Sequence, residues 1–165
     1  MIAEIIFEPQ LRCLYFLMMK GVPNTFKFVK IDLQDPKGVL TVTISKDVHF
    51  FEINRENSDE FYMISHNVIY HTGFKLLQKS NNFNFFGLGE TQEDLDQKGL
   101  TEFYRSMSVI EFIRFTGDRS KFFVNEDKSI RLMRTDNKEV LKIFSQHNFV
   151  TIDVAFDKNL EHLYR

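Results

Sequence analysis

A chain of 165 residues, 43% hydrophobic and 27% charged, can bury roughly 70% of its unfolded surface around one core and is too apolar for intrinsic disorder. Its single cysteine, Cys13, excludes an intramolecular disulfide and a thiolate metal cluster, and a net charge of −2 leaves no global basic field to hold a polyanion. Nineteen phenylalanines and no tryptophan offer large apolar surfaces on few torsions, suited to a core or an interface anchor, and no group that moves protons or electrons.

Taken in chain order, Met1 to Phe7 reads as a short strand interrupted by Pro9. Leu11 to Met19 is an apolar run whose period fits a buried helix as well as a buried strand. It is too short to span a bilayer, which needs roughly 20 apolar residues, and the acidic Glu4 and Glu8 before it are unlike the positive leader of a signal peptide. Phe26 and Phe28, the turn residues Asp35-Pro36-Lys37-Gly38, and the alternating Leu40, Val42 and Ile44 form a hairpin. Val48 to Ile53, the polar turn Asn54 to Asp59 and the run from Phe61 extend it, so an antiparallel meander of four strands is expected from Phe26 to about Tyr70.

Phe74 to Lys79 suggests a helical turn, and Phe83, Phe85 and Phe86 a strand ending at Gly87-Leu88-Gly89. Thr101 is positioned to cap a helix carrying Tyr104, Met107, Ile110 or Glu111, and Arg114 at helical spacing, with Gly117 as its stop. Phe122 to Val124 and Ile130 to Met133 pair around the turn Asn125 to Lys128. Asp136 with Glu139 three residues on is a capping-box pattern for a helix through about Gln146. Val150 to Phe156 alternates as a late strand, and Asp157 opens a short terminal helix. The sum is a single α+β domain over 1–165, a mostly antiparallel sheet with two to four helices, without internal repeat, low-complexity tract or linker.

Catalytic signatures are missing from this pattern. His66 and His71, five apart, fall on different faces of a helix and opposite sides of a strand, and His49, His147 and His162 add no metal-ligand spacing. Gly87-Leu88-Gly89 lacks the third glycine of a dinucleotide fingerprint and is followed by acids that would repel phosphate. Cys13, in its apolar run, reads as a structural thiol. No cofactor is expected, and the chain is not expected to be an enzyme.

The remaining feature is the acidic stretch Glu90, Glu93, Asp94 and Asp96, which contains no lysine or arginine and suits a basic protein partner. The expectation is therefore a cytoplasmic protein-binding domain, a stoichiometric inhibitor of the immunity or antitoxin kind that neutralises a toxin such as a nuclease, through that patch. Dispersed basic residues beside Phe122 and Phe123 combine charge with stacking rings, as a single-strand groove requires, but no ribonucleoprotein-type motif accompanies them, so neither nucleic acid nor a membrane is the expected partner. Two alternatives stand beside it. One is a small enzyme or ligand-binding domain with a pocket on the sheet, where His49, His66 and Tyr62 would be tested first; the other is a structural component that buries phenylalanines against a second copy.

Overall fold

The computed structural model describes residues 2–19, 25–35, 37–45, 48–79, 99–126, 128–145, 155–156 and 163–164. Two compact units divide the chain, Met1–Ile110 and Glu111–Arg165.

The first unit opens with a four-stranded antiparallel sheet in chain order, β1 (Ile2–Glu8), β2 (Cys13–Met19), β3 (Thr25–Asp32) and β4 (Val39–Ser45). The ambiguous run from Leu11 is thus a strand from Cys13 onward. Its unbroken apolarity reflects an inner position, paired to β1 on one side and β3 on the other, with apolar side chains sent to both faces. The turn into it closes through the Arg12 amide donating to the Pro9 carbonyl at 3.2 Å, with Arg12 at φ 50°. Between β3 and β4 the Gly38 amide donates to the Asp35 carbonyl at 2.7 Å, and a Cβ on Gly38 would lie 3.0 Å from that same oxygen, so a side chain there would crowd the tight turn.

A second four-stranded sheet follows: β5 (Val48–Ile53), β6 (Glu60–Ser65), β7 (Val68–Gly73) and β8 (Thr101–Arg105). The short helix α1 (Phe74–Lys79) leaves β7 directly, as its sequence suggested. Asp59 starts it, accepting the Phe74 amide on its carbonyl at 2.9 Å and the Lys75 amide on Oδ1 at 3.2 Å. The expected meander from Phe26 to Tyr70 therefore divides. Its first two strands close one sheet and its later strands open the next, with the change falling between Ser45 and Val48.

The two sheets pack face to face around phenylalanines. The Phe28 ring lies 4.6 Å from Phe51, 5.0 Å from Phe61 and 5.1 Å from Phe74, and Tyr15 joins Phe74 at 6.1 Å. Offset and edge contacts of this kind add about 0.5–1.5 kcal/mol per pair beyond area burial. Cys13, Leu17 and Val42 complete that core from the first sheet, so Cys13 is the buried structural thiol its neighbours implied.

In the second unit, β9 (Ile110–Phe115, whose first residue belongs to the first unit), β10 (Lys121–Glu126), β11 (Ser129–Arg134) and β12 (Val140–Ser145) make a third antiparallel sheet in chain order. The expected hairpin about Asn125 to Lys128 is β10–β11. A two-stranded ribbon pairs β13 (Ala155–Phe156) with β14 (Leu163–Tyr164).

The α+β assignment is overturned: the architecture is almost entirely antiparallel sheet, and α1 is the one helix among the described residues. The helix expected from Thr101 is instead β8 and β9. Phe103, Tyr104, Ile110, Phe112 and Ile113 favour a pleated surface, and pairing of β8 to β7 overrides a helical spacing that the segment satisfies by chance. The helix expected from Asp136 is the turn into β12. Asp136 Oδ1 accepts the Asn137 amide at 2.7 Å and Asn137 Oδ1 the Glu139 amide at 3.0 Å, so the acid and amide side chains tighten a turn rather than cap a helix. The Phe83 to Phe86 strand and residues 150–154 of the late strand lie outside the described residues. So does Asp157, the start of the expected short terminal helix, while Leu163–Tyr164 are strand.

Candidate interaction face

A strand's side chains alternate between faces, so antiparallel register fixes which residues of the first sheet stand together. One cross-strand row is Ile6, Tyr15, Lys30 and Leu40, turned to the core. The neighbouring row, turned the other way, is Phe7, Leu14, Ile31 and Val39, and the next outward row is Ile5, Phe16, Val29 and Thr41. Seven of these eight outward positions are apolar. Ile5 is 59% exposed, Phe7 54% and Val39 47%, while Leu14, Phe16, Val29 and Ile31 are half-buried by their neighbours. Met18, also exposed, extends the patch beside Lys27, the one charge in its outward pairing. A contiguous apolar surface on a four-stranded sheet is far larger than the scattered single residues of an ordinary protein surface.

The opposite face is fastened by polar contacts. Lys30, 7% exposed, donates from Nζ to the Ser58 hydroxyl at 2.6 Å, and the Tyr15 hydroxyl donates to the Ser58 carbonyl at 3.2 Å. Burial first, then the neighbouring Cys13 thiol, push the Tyr15 phenol well above its ordinary range, so it serves as a donor. Arg55 Nε meets Glu8 at 3.2 Å across the same junction.

The loop supplying Ser58 is organised about Glu60. Asn54 Nδ2 donates to Oε2 at 2.9 Å, Asn57 Nδ2 to Oε1 at 2.8 Å, and His71 Nε2 lies 3.2 Å from Oε2. Burial opposes ionisation of Glu60, but the hydrogen bonds from Asn54 and His71, the charge of His71 and the bond from Asn57 outweigh it and hold the carboxyl below the usual glutamate range. His71 also stacks on Tyr62 at 4.8 Å, and Tyr62 meets Phe103 edge-on at 5.0 Å. This histidine and carboxylate are thereby committed to shaping a turn.

His49 and His66 have backbone contacts. His49 Nε2 lies 2.6 Å from the Ile110 carbonyl oxygen, and the His66 carbonyl, in a turn at φ 52°, accepts the Ile110 amide at 2.9 Å. His49, His66 and Tyr62, the first residues of the ligand-site alternative, thus line the second sheet in separate structural roles. No group of three or more histidine, cysteine or acidic side chains is placed to hold a metal among the described residues. No helix among them is long and apolar enough to cross a membrane. Glu90, Glu93, Asp94 and Asp96, and likewise His147 and His162, lie outside the described residues.

The outward face was missed in the sequence because exposure is not written in a strand. An alternation of apolar and polar residues would have marked a solvated face; here both sets are apolar, which is the pattern of a sheet covered on both sides. That pattern in β2 was the available signal.

No family model matches the chain, and no curated protein matches it. Among solved structures, it is similar to a chain in the structure of the yeast heterotrimeric Nup82-Nup159-Nup116 nucleoporin complex, with 13% identity and a TM-score of 0.47. The likeness covers 97% of this chain, which spans 38% of the length of that one.

Proposed function

We propose that the protein is a non-catalytic interaction scaffold that binds a protein partner through the outward apolar face of its first sheet. The observation that carries the reading is the pair of cross-strand rows Phe7, Leu14, Ile31, Val39 and Ile5, Phe16, Val29, Thr41, half-buried at their centre and exposed at Ile5, Phe7, Val39 and Thr41, on a sheet whose other face is already packed. Successive four-stranded antiparallel meanders are the unit from which stacked-sheet scaffolds of the propeller type are built, and each such unit needs cover on both faces. His49 held against the Ile110 carbonyl and His71 against the Glu60 carboxylate are structural contacts and give no support to a catalytic role.

The test is a variant carrying Ile5→Asp and Phe7→Asp, unfolded by urea at concentrations where the protein is monomeric. Charges placed on a docking face cost the monomer only strand propensity and the cross-strand contacts of two side chains, together below about 2 kcal/mol. A loss of more than about 2 kcal/mol would assign the face to the protein's own core and sink the proposal.

A further inference from the structure

Resting on that reading, we infer that the occupant of the outward face is the same face of a second copy of this chain, giving a two-fold dimer of stacked sheets. Three properties of the face fit a self-complementary contact. The first is size. Strands of seven and eight residues at about 3.3 Å per residue, four abreast at about 4.8 Å, cover on the order of 440 Å². Two such faces bury about 900 Å² of flat area before side-chain relief is added, close to the roughly 1,000 Å² at which specific interfaces begin.

Charge is the second property. A two-fold contact sets the same patch against itself, residue i of one copy meeting residue j of the other and j meeting i, so a face dominated by one sign of charge would repel its copy. Here the two rows hold no ionisable group, and Lys27 lies beside Met18 at their margin. A chain of net charge −2 adds little long-range repulsion. The third property is shape. Identically twisted sheets pack aligned at about −30° with interdigitating side chains, and here the exposed Ile5, Phe7 and Val39 of the edge strands flank the half-buried Leu14, Phe16, Val29 and Ile31 of the inner ones.

The experiment is sedimentation equilibrium of the full chain over a wide concentration range, with Phe7→Asp and, on the opposite edge strand, Val39→Lys. Alongside it, the Phe7→Cys variant is labelled with a maleimide; Cys13, 1% exposed, gives little background. The expected result is a mass that doubles with concentration, a dissociation constant raised at least tenfold by each charged variant, and labelling that slows as the dimer forms. A dimer indifferent to both charged variants would place the contact elsewhere and overturn the inference. A protein monomeric throughout, whose introduced thiol labels fast, would overturn the second copy while leaving the face open to a different partner. A monomer whose introduced thiol labels slowly at every concentration would overturn both the inference and the docking reading, since the face would then be covered within one chain.

Discussion

The Phe28 ring stacks on Phe51 at a centroid distance of 4.6 Å and 26° between planes, and this contact joins two sheets that share no strand. Phe28 is 1% exposed and also touches Phe61 and Phe74, so it is the point where β3, β5, β6 and α1 meet. Phe28→Ala is expected to cost about 3–5 kcal/mol, the transfer of a ring plus the cavity left among rings that cannot all collapse into it. Phe28→Leu should cost distinctly less. Urea unfolding of the three proteins checks the order; an alanine variant within about 1 kcal/mol of the parent would show that the two sheets do not depend on this contact.

Ser58 is the polar counterpart of that joint. Its hydroxyl accepts the Lys30 ammonium at 2.6 Å, and its carbonyl accepts the Tyr15 hydroxyl at 3.2 Å. Ser58→Ala takes the acceptor from an ammonium that is 7% exposed and is expected to cost about 1–3 kcal/mol, whereas Tyr15→Phe, losing one neutral hydrogen bond, costs about 0.5–1.5 kcal/mol. Adding Lys30→Met to Ser58→Ala should restore part of the loss, because the buried charge that lacked its acceptor is gone. Urea unfolding of the double-mutant cycle reads the coupling, and simple additivity would mean that Ser58 and Lys30 act independently.

The strands were legible wherever pattern and turn chemistry agreed. Asp35 and Gly38 make the turn their residue types announced, and Phe122 to Met133 forms the expected hairpin. What misled was local punctuation. Thr101 and Asp136 resemble helix caps, yet Thr101 opens a strand that pairs with the distant β7, of which a local pattern carries no sign, and Asp136 uses its carboxylate to tighten the β11–β12 turn. The threefold recurrence of a four-stranded meander was invisible for a related reason. It is a repeat of pairing order and not of residues: Val48 and Ile110 open their sheets with different sequences, and the change of sheet after Ser45 has no proline or glycine to mark it. Exposure of Phe7 against burial of Phe28 likewise follows from register alone.

Acid stability should report the Glu60 cluster. Its carboxyl titrates below the usual range in the folded chain, so the folded state favours the ionised form more than the unfolded state does. The contribution is complete above the unfolded value of about 4.3 and is lost as pH falls through the lower folded value. Asp118, held at about 2 by hydrogen bonds from the Thr116 hydroxyl and then the Ser120 hydroxyl and amide, also loses stability as pH falls below its unfolded value, but it does so equally in parent and variant and cancels from their comparison. Unfolding free energy followed from about pH 7 to about pH 3 is expected to fall less steeply in Glu60→Gln than in the parent; parallel curves would mean that Glu60 contributes no proton linkage.

Glu126 supplies the corresponding test in the second unit. It is 2% exposed at the end of β10, and its carboxylate meets Arg131 Nη1 at 2.6 Å across the β10–β11 hairpin. Removing one partner of a fully buried ion pair costs about 3–5 kcal/mol, but the Arg131 side chain is 32% exposed and regains water when its partner is lost. Glu126→Ala is therefore expected to fall below that range, at about 2–3 kcal/mol, with the missing methylenes included. Glu126→Gln keeps the shape and one acceptor oxygen, so its cost should lie nearer to about 1 kcal/mol. Arg131→Met is the more telling change, since it leaves the carboxylate of Glu126 in place at 2% exposure without the guanidinium. If the pair matters through its charge, urea unfolding will find Arg131→Met less stable than Glu126→Gln, because a buried carboxylate stripped of its cation is worse than a neutral amide of the same shape. The reverse order would show that packing by the Glu126 stem, and not its charge, holds the hairpin.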